Sequence, residues 1–377
     1  MSLAIPSIGL EFHTKASLTG WIVTGYMFTV AAVTMPFGRL ADHVGRKRIF
    51  MAGIGVFAAF SSATILLAHS FAITLLFRIF QGVGAAMIYS TVTAIAVDSF
   101  PPEKRGEVLG CTVSATYIGI TGGPVLGGIL IDAFGWRSLF VFSLIVVAIA
   151  FIVTFFCFKG LSEEKLCLKR GLNLKLFVRN PNYSLSVLAS FFSYSATFAV
   201  GYLLSVYLQT NMGFSSRVAG LVLVSQPIVM AIIAPFSGKF SDRSSPYLLA
   251  SIGMGICAAG LLVFLFLRKT TSLIVIIADL IVVGIGFGIF SPPNTNAIMS
   301  SVEAQDYNTA SSVLATVRAF GQTASMAIVT LVFSVKIGSA TFDNVASRLL
   351  DKSMHTCFAI FSGLCFVGIF LSARRHP

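Results

Sequence analysis

The stretch GRLADHVGRKR, residues 38–48, places five formal charges and a histidine between two long uncharged segments. Residues 21–37 on one side and residues 49–68 on the other contain no charged side chain and are mostly apolar. Each segment approaches the roughly 20 residues that an α-helix needs to cross the hydrocarbon core of a bilayer. The stretch therefore predicts a charged loop between two membrane-spanning helices.

The composition of the whole chain supports this interpretation. Of the 377 residues, 56% are hydrophobic and only 11% are charged, whereas a soluble globular domain carries about 25% charged residues. In hydrocarbon the backbone amides must be hydrogen-bonded within the protein, which leaves helices or closed barrels. The apolar runs here are continuous and about twice as long as a barrel strand. We therefore expect an all-α integral membrane protein.

Eleven apolar segments are long enough to cross a membrane, and they are predicted at residues 20–38, 49–68, 71–97, 108–131, 138–158, 183–209, 218–238, 247–267, 272–299, 309–335 and 355–373. The opening MSLAIPSIGL, residues 1–10, is apolar but too short to cross. We interpret it as the end of a first helix whose start is missing. The polar connection at residues 159–182 then separates an N-terminal bundle, residues 1–158, from a C-terminal bundle, residues 183–377.

The net charge of +12 follows the predicted membrane topology. If residues 38–48 face the cytoplasm, that side carries about twice as many lysines and arginines as the other, as expected for a membrane protein. Residues 159–182, with six basic and two acidic side chains, are predicted on the same side. We expect a multi-pass protein of a prokaryotic cytoplasmic membrane, in contact with lipid and without a role in binding nucleic acid.

The two halves of the sequence repeat each other. Residues 82–119 align with residues 284–321 without a gap. The aligned glycines are Gly82, Gly84 and Gly119 in the first half and Gly284, Gly286 and Gly321 in the second. A weaker copy of residues 38–48 occurs at residues 238–247. Duplicated six-helix halves with a site at their interface are typical of secondary transporters.

The charged stretch also contains an ordered pattern, at Gly38, Leu40, Asp42, Gly45, Arg46 and Lys47. A loop that only fixed the topology would need no more than its basic residues. The pattern resembles the motif between helices 2 and 3 of the major facilitator superfamily. Together with the repeat, the resemblance covers essentially the whole chain, and it is strongest to the drug:proton antiporter families.

This resemblance implies a gating latch that holds the cytoplasmic end closed in one state. Its residues would be Gly38, Asp42, Gly45, Arg46 and Lys47, with Asp98 as the acidic partner and Asp242 as a weaker copy in the second half. The four-residue spacing of Asp42 and Arg46 is expected to place both on one helical face. The glycines are expected to allow a tight turn and a close approach of helices.

The segment GITGGPVLGG, residues 119–128, contains Gly119, Gly123, Pro124, Gly127 and Gly128. Small residues every four positions let membrane helices approach closely, and a proline bends a helix. A packing seam with a kink would explain this pattern. The spacing also resembles the fifth-helix motif of the antiporter branch of the superfamily, which implies export by antiport.

Three ionisable residues lie inside predicted spans, where charges are costly and by default functional. Arg78 lies in a segment that resembles the fourth-helix motif of the family, which implies a part in proton coupling. Asp279 is the only carboxylate well inside a span and is therefore the best candidate proton carrier. Arg318 lies near the middle of a span. The alternative for each residue is that it forms a buried ion pair or that its side chain extends to the membrane–water interface.

Uncharged polar groups and one arginine, set among many Phe and Met residues, predict a substrate cavity. The candidates are Tyr26, Gln81, Tyr89, Tyr117, Gln226, Asn294, Arg318 and Gln322. As a set they suit a bulky, partly apolar substrate, although contacts between helices would explain most of them individually.

We therefore predict a monomeric secondary active transporter that exports amphipathic small molecules or drugs in exchange for protons, by alternating access. Two alternatives stay open. The first is a metabolite or organic-anion exporter, which is supported by the excess of Arg78 and Arg318 over Asp279 inside the spans. The second is a transport-inactive truncated membrane protein. The sequence contains no catalytic, metal-binding or ATP-binding motif. We expect no enzyme activity, cofactor or metal, and a proton gradient as the energy source.

Overall fold

The computed structural model describes residues 1–98, 105–157, 180–241, 243–302, 307–338, 340–341 and 347–374. Within these ranges the chain is helical and contains no β-strand. One isolated bridge pairs Lys15 with Thr341. The prediction of an all-α protein is confirmed.

In the described part of the N-terminal half, five long helices follow three short helical segments, of which Ile5–Glu11 is the longest. We label this segment α1 (Ile5–Glu11) and the long helices α2 (Trp21–Val44), α3 (Arg46–Leu67), α4 (Phe71–Asp98), α5 (Arg105–Phe134) and α6 (Ser138–Cys157). The apolar opening of the chain forms α1, which is only about 10 Å long and cannot cross a bilayer. Glu11 at its end forms an ion pair with Arg137 (2.7 Å) and accepts a hydrogen bond from the Trp136 indole (2.6 Å). These contacts attach α1 to the start of α6.

The described part of the C-terminal half contains six long helices. They are α7 (Pro181–Asn211), α8 (Ser216–Ser241), α9 (Pro246–Val263), α10 (Leu273–Ser300), α11 (Tyr307–Lys336) and α12 (Ser347–Ala373). Within the described ranges of the whole chain, ten helices are long and apolar enough to cross a membrane, and α5 adds an apolar stretch at Ile118–Phe134. These helices lie at the eleven predicted positions, which confirms a multi-pass membrane protein.

The charged stretch at residues 38–48 is not one continuous loop. α2 extends to Val44 and α3 begins at Arg46, so the helices are separated only by Gly45. The φ of Gly45 is +113°, which favours glycine and explains the predicted tight turn. Because Asp42 belongs to α2 and Arg46 to α3, the prediction that they share one helical face is wrong. Gly38 makes no close approach, since a Cβ there would lie 3.8 Å from α4.

The packing of the two halves shows the internal repeat. α4 packs against α2 and α3, and α10 packs in the same way against α8 and α9. A Cβ built at Gly84 would lie 2.6 Å from the backbone nitrogen of Phe57 on α3. A Cβ built at Gly286 would lie 2.6 Å from the backbone nitrogen of Cys257 on α9. The aligned glycines therefore permit equivalent close crossings, and the predicted relation between two bundles is confirmed.

Two pairs of long helices join the halves, because α2 packs against α11 and α5 packs against α8, and the opening residues Ser2 and Leu3 also accept hydrogen bonds from α7. The start of α2 meets the end of α11, and the end of α5 meets the start of α8. We call this end of the bundle, opposite to Gly45, the distal end. The distribution of basic residues predicts that the distal end faces outside.

Candidate functional site

Hydrogen bonds join α2 and α11 at the distal end. The hydroxyl of Ser17, just before α2, donates to the carbonyl of Gly338 (2.8 Å), just after α11. The hydroxyls of Thr24 and Thr330 lie 3.3 Å apart. Gly20 lies against Thr330, since a Cβ built at Gly20 would be 2.8 Å from the Thr330 Oγ1. The described conformation is therefore closed on this side of the distal end.

α5 and α8 form the second distal contact through backbone atoms. Gly128 of α5 lies against the carbonyl of Ser216, and Gly220 of α8 lies against the carbonyl of Pro124. A Cβ at either glycine would overlap the facing oxygen. Small residues at a crossing let membrane helices approach this closely. The distal end is thus closed on both sides of the bundle.

The predicted antiporter motif of α5 contributes only part of this crossing. Pro124 and Gly128 form the crossing with α8. A Cβ built at Gly127 would lie 3.7 Å from Leu139 on α6, which is an ordinary van der Waals contact. Among the described residues, no atom lies within 4 Å of a Cβ built at Gly119 or Gly123. The described part of the chain therefore shows no close helix contact at these two positions. The reason is geometric, because α8 crosses α5 close to its distal end.

The predicted gating latch lies largely outside the described residues. Neither the side chain of Asp42 nor that of Asp98 is described, and Asp242 lies outside the ranges altogether. Arg46 and Lys47 are in the first turn of α3. The latch therefore stays a prediction.

Arg78 lies on α4 inside the N-terminal half and is 6% exposed. Its Nη1 donates a hydrogen bond to the side-chain oxygen of Gln81, whose amide nitrogen donates to the hydroxyl of Ser61 on α3 (2.6 Å). The guanidinium carbon lies 4.1 Å from the centre of the Tyr26 ring on α2, which is a cation–π contact. Arg78 thus links three helices of one half.

The charge of Arg78 is not neutralised within the described part of the chain. No carboxylate there pairs with it, and its Nε is buried without a hydrogen-bond partner. The alternative of a buried ion pair is therefore not found. A buried cation held by neutral groups is costly, and that cost is the physical reason to look for a functional role.

Arg318 lies on α11 in the C-terminal half and is half-buried. Its Nη2 donates to the hydroxyl of Thr295 on α10 (2.7 Å), and its guanidinium carbon lies 5.4 Å from the centre of the Tyr194 ring on α7. Its Nε is buried without a partner, and no described carboxylate pairs with it. Each half therefore holds one guanidinium that contacts a tyrosine ring.

Asp279 lies on α10 and is 5% exposed, and its Oδ2 has no hydrogen-bond partner. The side chain faces α9, where its Oδ1 would lie 3.1 Å from a Cβ built at Gly260. It lines a small pocket of about 80 Å³ together with Val263, Phe264, Phe266, Leu267, Thr271, Val275 and Ile276. Asp279 precedes Thr295 by 16 residues, or about 24 Å along α10, and is therefore too far to neutralise Arg318.

Four of the remaining cavity candidates keep groups available for a ligand. Tyr26 lies on α2 and Tyr89 on α4, and the Tyr89 side chain is 64% exposed. The side chains of Gln226 on α8 and Gln322 on α11 are half-buried, and within the described ranges their amides make no hydrogen bond. These residues add rings and free amide groups to helices that join the halves or pack beside them.

Two other candidates are bound inside their own halves. Gln81 and Asn294 are both 1% exposed. Gln81 belongs to the Arg78 network, and the Asn294 amide donates to the hydroxyl of Ser190 on α7 (2.7 Å). The prediction that these two residues line the cavity is wrong, because their polar atoms are used between neighbouring helices. The side chain of Tyr117 lies outside the described residues.

Sequence reasoning missed most partners of the two arginines. Ser61 lies on α3, whereas Arg78 lies on α4. Tyr194 and Thr295 lie on α7 and α10, whereas Arg318 lies on α11. Residue spacing gives no signal for such contacts. Gln81 is different, because its position three residues after Arg78 on one helix indicates a contact.

Comparisons with known proteins agree with this architecture. The "Riboflavin transporter RibZ" of Clostridioides difficile (strain 630) is 26% identical, over 99% of this chain and 92% of that protein. The "Multidrug resistance protein Stp" of Mycobacterium tuberculosis (strain CDC 1551 / Oshkosh) is 25% identical, over 91% of this chain and 74% of that protein. The "Methylenomycin A resistance protein" of Streptomyces coelicolor (strain ATCC BAA-471 / A3(2) / M145) is 26% identical, over 87% of this chain and 80% of that protein.

A solved structure shares the fold. It is a bacterial homologue of the human lysosomal transporter Spinster in an inward-facing, unoccupied conformation, with a TM-score of 0.79 and 17% identity. The match covers 100% of this chain and 94% of that chain. The model of the family described as Major Facilitator Superfamily matches residues 1–326. The chain belongs to the Major Facilitator Superfamily and is a transporter, not an enzyme.

Proposed function

We propose that this transporter exports amphipathic small molecules in exchange for protons, by alternating access. The observation that supports this most is the distal contact between the halves. It includes a few hydroxyl hydrogen bonds between α2 and α11, a glycine crossing between α5 and α8, and hydrogen bonds from Ser205 and Gln209 of α7 to the carbonyls of Ser2 and Leu3. Such a contact can separate while each half keeps its own packing, as a rocking motion of two bundles requires.

The groups around the halves support an amphipathic substrate. Tyr26, Tyr89 and Tyr194 offer aromatic surface, while the amides of Gln226 and Gln322 can donate and accept hydrogen bonds. The names of three relatives refer to multidrug resistance, methylenomycin A resistance and riboflavin transport. A site that combines rings with unbonded amides suits bulky organic molecules of this general kind.

Asp279 is the proton carrier in this proposal. Its carboxylate is buried and has no hydrogen-bond partner for Oδ2. The pocket that it lines includes Leu267 and Thr271, at the distal loop between α9 and α10. A proton from the distal side therefore has a short route to the carboxylate. Protonation removes the cost of a buried charge, so a change in the burial of Asp279 between the two conformations would couple them to protonation.

Asp279→Asn is expected to abolish uptake into proteoliposomes that is driven by an acidic interior, while exchange of substrate for substrate continues. The amide fills the same space but carries no exchangeable charge. Asp351→Asn is the matched control, because Asp351 lies in the same half and its carboxylate accepts a hydrogen bond from Asn211 (2.5 Å) instead. Gradient-driven uptake by Asp279→Asn at the wild-type rate would reject the assignment.

An exporter of organic anions is the second candidate function. It is favoured by one observation, that neither Arg78 nor Arg318 has a carboxylate partner in the described ranges. Uptake of matched cationic, neutral and anionic solutes into the same proteoliposomes distinguishes the two functions. Transport of all three classes supports the broader exporter, and transport confined to anions supports the second candidate. No gradient-driven transport of any class would contradict both.

A further inference from the structure

We propose that Arg318, with Thr295 and Gln322 beside it, forms a subsite that binds an oxyanion group of the substrate, such as a carboxylate, a sulfonate or a phosphate. The substrate class is then the amphipathic organic anions. This inference rests on the proposed function in one respect, since it assumes that the substrate binds between the two halves.

Most of the hydrogen-bonding capacity of Arg318 is unused. A guanidinium has five N–H donors in a planar fork, and the described contacts of Arg318 occupy one of them, the bond from Nη2 to Thr295. The Nε is buried and has no partner. A planar fork with free donors matches the two oxygens of a carboxylate or phosphate group, and such bidentate bonds are among the strongest hydrogen bonds in proteins.

The charge of Arg318 also lacks a counter-ion. No carboxylate in the described ranges lies within ion-pair distance. Asp279 on α10 is about 24 Å from the level of Thr295, by the rise of 1.5 Å per residue. Half-buried in a membrane protein, an unpaired guanidinium is costly. An anionic ligand would remove this cost, and a cationic ligand at the same place would increase it.

Neighbouring side chains fix the orientation of the guanidinium before a ligand arrives. The Thr295 hydroxyl holds one end, and the Tyr194 ring lies 5.4 Å from the guanidinium carbon. The Tyr194 ring in turn packs edge-to-face on Phe287, with centroids 5.3 Å apart. A donor group that is already oriented loses less entropy on binding.

The same face of α11 supplies a second polar group. Gln322 follows Arg318 by four residues, so the two side chains are neighbours on the helix surface. Its amide is half-buried and makes no hydrogen bond with any described residue. Arg318 is itself half-buried, whereas Arg78 is 6% exposed. Arg318 is therefore the arginine that a ligand can reach.

The test measures binding of two fluorescent probes to the purified full chain in nanodiscs, without a pH gradient. The probes are pyrenebutyrate and its neutral amide, which share the same ring system. We expect the wild type to bind the carboxylate roughly 10- to 100-fold more tightly, the range for a hydrogen-bonded charged group. Arg318→Gln should remove this preference, so that the carboxylate binds no more tightly than the amide.

Three further variants separate binding from folding. Arg318→Lys keeps the positive charge and should keep part of the preference, and Thr295→Val should weaken it without removing it. Arg268→Gln is the matched control, because Arg268 is an exposed arginine of the distal loop and its loss should change nothing. Each variant is first compared with the wild type by size-exclusion chromatography.

A carboxylate preference that survives in Arg318→Gln would overturn the subsite. Equal affinity of the wild type for both probes, or no binding of either, would also overturn it. The proposed function fails separately, because it requires gradient-driven uptake and not a preference for anions. A protein that transports the neutral amide under a pH gradient without preferring the carboxylate would keep the proposed function and lose the subsite.

Discussion

Gly220→Val is expected to reduce transport roughly tenfold or more, the effect of about 1.4 kcal/mol on a rate. A Cβ at Gly220 on α8 would overlap the carbonyl of Pro124 on α5. Because that oxygen belongs to the backbone, no side-chain rotation relieves the overlap, and the helices must separate. Overpacking of this kind costs about 1–3 kcal/mol. The variant should therefore be inserted in the membrane but unable to close its distal end.

The measurement is the initial rate of uptake into proteoliposomes with an acidic interior, divided by the amount of reconstituted protein. Gly123→Val is the matched control, because it makes the same replacement on α5 where no described atom lies within 4 Å of the added Cβ. The control should keep most of the wild-type rate. Equal losses in both variants, or a normal rate for Gly220→Val, would contradict the role of this crossing.

The membrane helices could be predicted because lipid imposes one requirement on every span, a long apolar helix. The same signal fails where a helix leaves the hydrocarbon core. α2 continues through charged residues to Val44, and α12 begins at Ser347, eight residues before the predicted start. Outside hydrocarbon a helix needs no apolar sequence, so its true ends are not visible in the hydrophobic pattern.

The site was predictable only where the contact is local or the chemistry is rare. Arg78, Asp279 and Arg318 stand out because ionisable residues are uncommon in membrane spans. The contact of Arg78 with Gln81 follows from helical spacing. The facing of Gly128 and Gly220 across two helices depends on the arrangement of the bundle, which residue spacing does not contain. For the same reason the sequence predicts Asn294 in the cavity, whereas in the structure its amide is hydrogen-bonded to α7.

A disulfide across the distal contact tests the rocking of the two halves most directly. The hydroxyls of Thr24 on α2 and Thr330 on α11 lie 3.3 Å apart, so cysteines at these positions can be joined in the described conformation. The double variant Thr24→Cys/Thr330→Cys is made in a chain whose six native cysteines are replaced by serine or alanine. Each single variant serves as the control for oxidation itself.

We expect the oxidised double variant to lose gradient-driven transport and to regain it after treatment with dithiothreitol, while both single variants are unaffected by oxidant. The physical reason is that a covalent bond between α2 and α11 prevents the distal end from opening. Complete cross-linking with an unchanged rate of transport would show that the distal contact stays closed throughout the cycle, and would contradict alternating access between these two halves.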